Sequence, residues 1–108
     1  MSSQTPINVL IQLVVSPEDE RIMERVQKDL LTFCPGLSFS PDREAPGLND
    51  CLECRATGTM DEAQKERLIE ETNRSWDENE ERTVFEAYGF NSRFFDKNIY
   101  YMEMEFSR

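Results

Sequence analysis

Histidine is absent from this chain of 108 residues. Its absence removes the commonest general base, the commonest metal ligand and the usual switch near neutral pH. Cysteine is scarce and odd in number, at Cys34, Cys51 and Cys54. Cys51 and Cys54 form a lone C-x-x-C, with no second pair and no histidine to complete a zinc site. A redox motif of the thioredoxin kind would open a helix, whereas this pair sits in an alternating segment that puts its thiols on opposite faces of a strand. The three thiols are therefore read as buried structural groups, and neither metal nor cofactor is expected. No apolar run approaches the ~20 residues of a membrane span. Residues 1–6 carry no basic region ahead of the apolar stretch, and no small-residue cleavage site follows. That segment is expected to be disordered and the protein to be cytoplasmic.

Positive charge is also in short supply. Twelve Lys and Arg stand against 22 Asp and Glu, a net charge of −10. Such a surface repels nucleic acid and anionic membranes, and it suits a basic protein as partner.

What is present is periodic. A chain of this length makes one domain, 1–108, able to bury a single core without staples. Ile7 to Val15 alternates Ile7, Val9, Ile11, Leu13 and Val15 on one face, the pattern of a strand inside a sheet. Ser16-Pro17-Glu18-Asp19 has the chemistry of a helix start, with Ser16 as N-cap and Pro17 at the first helical position. Ile22, Val26, Leu30 and Phe33 then form an apolar stripe, and Pro35-Gly36 stops the helix. Leu37–Ser40 and Cys51–Gly58 read as a hairpin whose tip, from Pro41 to Asp50, is long and mobile. Thr59-Met60-Asp61-Glu62 has capping-box form and predicts a second helix to about Trp76. Asp77 to Glu81 reads as an acidic connector. Arg82–Phe90 and Ile99–Phe106 are the last strands, the latter with Tyr100, Met102, Met104 and Phe106 facing inward.

This order is βαββαβ plus an extra C-terminal strand. It resembles the ferredoxin-like, split βαβ sandwich: an α+β fold with two helices on one face of a mostly antiparallel sheet. On that pattern the first and third strands lie side by side and parallel at the centre, and Ile99–Phe106 takes an edge beside Arg82–Phe90. The expected core is Val9, Ile11, Leu13, Ile22, Val26, Leu30, Leu52, Leu68, Trp76, Met102 and Met104. The scaffold hosts many unrelated functions and does not itself assign one.

Three surfaces are candidates. The sheet face away from the helices would carry Leu10, Val14, Val84, Tyr88 and Tyr101, more apolar and aromatic than a solvated face needs, and so suited to a homodimer. Phe90 and Ile99 are also placed on it. The ordinary alternative is plain strand composition. Glu53, Arg55, Glu86 and Glu103 on that face could act as acid and base, although opposite charges on neighbouring strands more often form cross-strand pairs. The second surface is acidic. From Thr59 to Arg82 there are nine acidic residues against four basic ones, and Asp77, Glu78, Glu80 and Glu81 could meet a basic groove. A solvated helix face is the plain alternative. The third is Phe94-Phe95, two adjacent aromatics in a turn, one of which could anchor a partner. The combined expectation is a non-enzymatic acidic interaction module that inhibits or regulates a basic, nucleic-acid-handling protein. The alternative is a sheet-face homodimer that binds a small molecule or serves a metabolic reaction.

Overall fold

The computed structural model describes residues 6–108. The disorder expected of 1–6 therefore lies, apart from the exposed Pro6, outside the described residues. The chain runs β1 (Ile7–Val15), α1 (Glu20–Phe33), β2 (Ser38–Phe39), β3 (Arg43–Glu44), β4 (Leu52–Met60), α2 (Glu62–Thr72), β5 (Asp77–Glu78), β6 (Val84–Tyr88) and β7 (Ile99–Ser107). Two helices lie on one face of an open, antiparallel, seven-stranded sheet. Its order is β2-β4-β1-β7-β6-β5, and β3 continues along the outer edge of β4 beyond β2.

Two expectations about topology are corrected. β1 and β4, the first and third predicted strands, are neighbours, but they pair antiparallel rather than parallel. One helix and one hairpin separate them, so the chain has reversed an odd number of times. The second correction concerns the last strand. Ile99–Ser107 lies between β1 and β6, in the sheet interior, and not at an edge. The cause is β5. Asp77 and Glu78 pair with Glu86 and Phe85, so the stretch read as a connector is the outer strand of a hairpin. That extra reversal turns β6 to run in the same direction as β1. Only β7, which runs the opposite way, can extend an antiparallel sheet from β1.

Asn79 builds the β5–β6 turn. Its side-chain oxygen accepts from Thr83 N at 2.8 Å and Val84 N at 3.0 Å, and Arg82 takes a positive φ of 56°. Local capping chemistry also differs from expectation. Asp19, not Ser16, caps α1 by accepting from Arg21 N at 2.8 Å, which leaves Pro17 in the preceding turn. The capping box of α2 is Asp61 with Gln64, while Thr59 and Met60 stay in β4. α2 ends at Thr72, a turn before Trp76, because Asn73 is extended and bridges to Phe94. Trp76 folds back, and its Nε1 donates to Ile69 O at 2.9 Å, satisfying a carbonyl near the helix end.

The core lies between helices and sheet. Ile7, Val9, Ile11, Leu13 and Val15 meet Met23, Val26 and Leu30 of α1 and Leu68 and Ile69 of α2, with Met102, Met104, Phe85 and Phe106 beside them. Each such side chain removed from water contributes about 1.5–3 kcal/mol. Of the expected core residues, Ile22 and Trp76 are half-buried at its margin and the rest are buried. A β-bulge shifts the register between β1 and β7 so that Val15 pairs Ile99 and Val14 pairs Tyr101. Tyr100 is the extra residue. It is exposed rather than inward, and Ile99 is buried in the main core instead of lying on the open face.

A polar clasp closes one end of the molecule. Arg25 of α1 donates to both oxygens of Asp96 at 3.0 Å, and to Asn98 Oδ1 at 2.6 Å. Ser16 and Asn98 exchange further bonds at 2.9 and 3.0 Å. Burial alone would raise the Asp96 carboxyl, but hydrogen bonds from Arg25 and the Asn98 backbone, with the Arg25 charge, hold it below the usual range.

Candidate interaction surface on the open sheet face

Strand register lays out the face opposite the helices as rows of side chains. One row reads Glu53, Val14, Tyr101, Tyr88 across β4, β1, β7 and β6. The next reads Arg55, Gln12, Glu103, Glu86, Asp77 and reaches β5. A third reads Thr57, Leu10, Glu105, Val84. The half of the face built by β5, β6 and β7 therefore carries Asp77, Glu86, Glu103 and Glu105. Among the described residues none of these four is in an ion pair. Like charges directly opposite one another destabilise a sheet. Tyr101 relieves part of this, because its Oη lies 3.0 Å from Glu86 Oε2 and 3.3 Å from Glu103 Oε1. Burial, the hydrogen bond to Glu86 and the two carboxylate charges push the Tyr101 hydroxyl well above the ordinary tyrosine range, so it remains a proton donor.

Aromatic rings gather beside these carboxylates. Tyr88 lies 4.7 Å from Tyr101, 5.2 Å from Phe90 and 6.2 Å from Tyr100, ring centre to ring centre. Tyr88 is 40% exposed and Phe90 76%. Gly89 makes this end of the hairpin possible, since a Cβ there would stand 2.3 Å from the Ile99 carbonyl oxygen. Phe90 belongs to the turn after β6 and not to the strand.

The other end of the face is covered. Val14 is buried under Ala45 and Cys51, with Tyr101 against them. The expected mobile tip is thus partly docked: Arg43–Glu44 adds β3, and Ala45 N donates to Cys51 O at 3.1 Å. Arg43 bonds Glu53, which is buried, at 2.5 Å. Of the expected dimer residues, Leu10 and Tyr88 are exposed, Val84 and Tyr101 are half-buried, and Val14 is not accessible. Among the four charged residues weighed for catalysis, Arg55 stands opposite Gln12 and makes no ion pair among the described residues, and Glu86 faces Glu103.

The acidic stretch divides between the two sides of the sheet. Asp77 shares the open face with Glu86, whereas Glu78 pairs with Arg82 at 2.8 Å on the helix side. Glu80 and Glu81 are exposed in the hairpin turn. Phe94 and Phe95 lie elsewhere, at the end of α2. Both are half-buried, Phe94 against Trp76 at 5.6 Å and Phe95 against Phe33 at 5.3 Å. They wall a 620 Å³ cleft together with Arg74 and Arg93. A neighbouring cleft of 510 Å³ is lined by Trp76, Glu78 and Arg82. The exposed aromatics are instead Tyr88, Phe90 and Tyr100. In the sequence Phe90 is visible only as the tail of a strand, and Tyr100 is hidden by the bulge.

The thiols are buried and unbridged. Cys51, just ahead of β4, lies under the loop, and Cys54 of β4 lies on the opposite side of the sheet in the main core. Burial pushes the Cys54 thiol up to about 11. Among the described residues no group of three His, Cys, Asp or Glu is placed to hold a metal ion, and no helix is long and apolar enough to cross a membrane. Comparison with protein-family models, with curated proteins and with solved structures finds no match.

Proposed function

We propose that this chain is a non-enzymatic interaction module that binds a basic protein and so inhibits or regulates a nucleic-acid-handling partner. The observation that carries the reading is the carboxylate row Asp77, Glu86, Glu103, in no ion pair among the described residues and continued by Glu80 and Glu81 at the β5–β6 turn. Carboxylates left without cations on one edge of a protein of charge −10 attract a basic surface over distance and compete there with phosphates. Asp77, Glu78, Glu80 and Glu81 form the contact edge in this reading, and Phe94 and Phe95 wall the neighbouring cleft rather than project as anchors. We read β1-α1-β2-β4-α2 as the ferredoxin-like part of the scaffold, with β7 in the fourth strand's place. Three unbridged thiols fit a reducing compartment such as the cytoplasm. A homodimer through the open face has less support. Val14 is covered, and the face sets four carboxylates against Arg55, which makes no ion pair among the described residues.

The test is competition for poly-L-lysine against a DNA duplex across a salt series. The wild-type chain should displace the duplex, with affinity falling steeply as salt rises. Reversing Asp77, Glu78, Glu80 and Glu81 to lysine should weaken displacement and flatten the salt dependence. Equal displacement by that variant would reduce the acidic edge to a solvated surface.

A further inference from the structure

Resting on that reading, we propose that the β6–β7 end of the open sheet face is the docking surface for an arginine-bearing segment of the basic partner. The patch is first of all aromatic. Tyr88 sits among Phe90, Tyr100 and Tyr101, and Tyr88 and Phe90 are 40% and 76% exposed. A large ring at 76% exposure leaves apolar surface in water that a partner would cover. Charge selects the occupant. Glu86 and Glu103 flank Tyr101, Asp77 and Glu105 adjoin them, and no ion pair among the described residues neutralises any of the four.

Guanidinium matches both halves of this surface. Its planar face stacks on aromatic rings, and its fork of N–H donors meets carboxylate oxygens in pairs. The hydrated ammonium of lysine answers the charge but stacks less well. A second copy of the chain fits poorly, since a two-fold contact here would bring like carboxylate rows together, with Arg55 of the same face to offset them. Phosphate-bearing surfaces are repelled by the same row.

The site is set by the backbone. Gly89 N donates to Tyr100 O at 2.8 Å, and the bulge at Tyr100 turns Tyr101 toward Tyr88. Strand register thus holds Tyr88 and Tyr101, and Phe90 stacks on Tyr88 from the turn that follows β6.

The experiment compares deca-arginine with deca-lysine by amide NMR titration and calorimetry, with sedimentation of the free protein. Deca-arginine should bind roughly fivefold more tightly than deca-lysine, the scale of one stacked cation on an exposed ring. Its shifts should centre on Glu86, Tyr88, Phe90, Tyr101 and Glu103. Phe90→Ser, at a solvent-facing position, and Tyr88→Ala should each remove most of that preference while leaving the salt dependence unchanged. Equal binding of both peptides, with shifts confined to 77–81, overturns the docking surface and leaves the acidic-module reading standing. Failure of both peptides to bind overturns both readings. Self-association through the patch overturns the assignment to a basic segment.

Discussion

Glu86 and Glu103 stand directly opposite each other on neighbouring strands, and the Tyr101 hydroxyl lies between their carboxylates at 3.0 and 3.3 Å. Two like charges in register would be avoided in a sheet selected for stability alone. A hydroxyl that donates to this pair makes the arrangement tolerable and fixes the Tyr101 ring beside Tyr88.

Tyr101 gives the protein a pH dependence of known sign. Its folded-state pKa is raised above the unfolded value of about 10. The neutral hydroxyl therefore contributes stability that is fully present below about pH 10 and is lost as pH rises through the folded value. Denaturant titrations should show wild-type stability falling on the alkaline side, and Tyr101→Phe should fall less steeply there. Parallel alkaline limbs in the two proteins would remove Tyr101 from the account.

Gly89 should be intolerant of a side chain. A Cβ would lie 2.3 Å from a backbone oxygen that cannot step aside without opening the β6–β7 ladder. Gly89→Ala should cost about 1–3 kcal/mol, the scale of overpacking. Gly36 is the control, because no atom lies within 4 Å of the place its Cβ would take, and it should accept alanine with little change in Tm.

Truncation of the central strand and the first helix reports on the core. Ile11 and Leu30 are both fully buried, and alanine at either should cost about 2–5 kcal/mol in urea unfolding. Near-wild-type midpoints in both variants would contradict the packing of α1 on β1.

The parts of the fold legible in the sequence are those where one face is uniformly apolar. Ile7 to Val15 announces a buried strand, and Met23, Val26 and Leu30 follow the helical stripe. The parts that escape are set by polar side chains and by partners distant in sequence. β5 consists of two acidic residues whose strand character comes from pairing with β6 and from Asn79 in the turn, so no apolar alternation marks it. Without that reversal, β7 falls in the wrong place. The bulge at Tyr100 depends on register against β1, and a period of two carried past it inverts Ile99 and Tyr100. The candidate surface is half legible for the same reason. Alternation alone assigns Tyr88 and Tyr101 to the open face. Asp77 joins them only through a hairpin that its sequence conceals, and Val14 leaves them because a loop folds over it.

The central position of β7 also constrains how the protein is made. Asn8 pairs with Ser107, and the β5–β6 hairpin reaches β1 only through β7. During synthesis from the N-terminus, β1 and β4 can pair early, while β6 waits without its inner neighbour until residues near 107 leave the ribosome. Closing a ladder between such distant residues costs loop entropy before its contacts form, which slows folding relative to a topology of local contacts. In that interval the edge of β1 that β7 will pair with is open to chaperones, and to misassembly with other nascent chains.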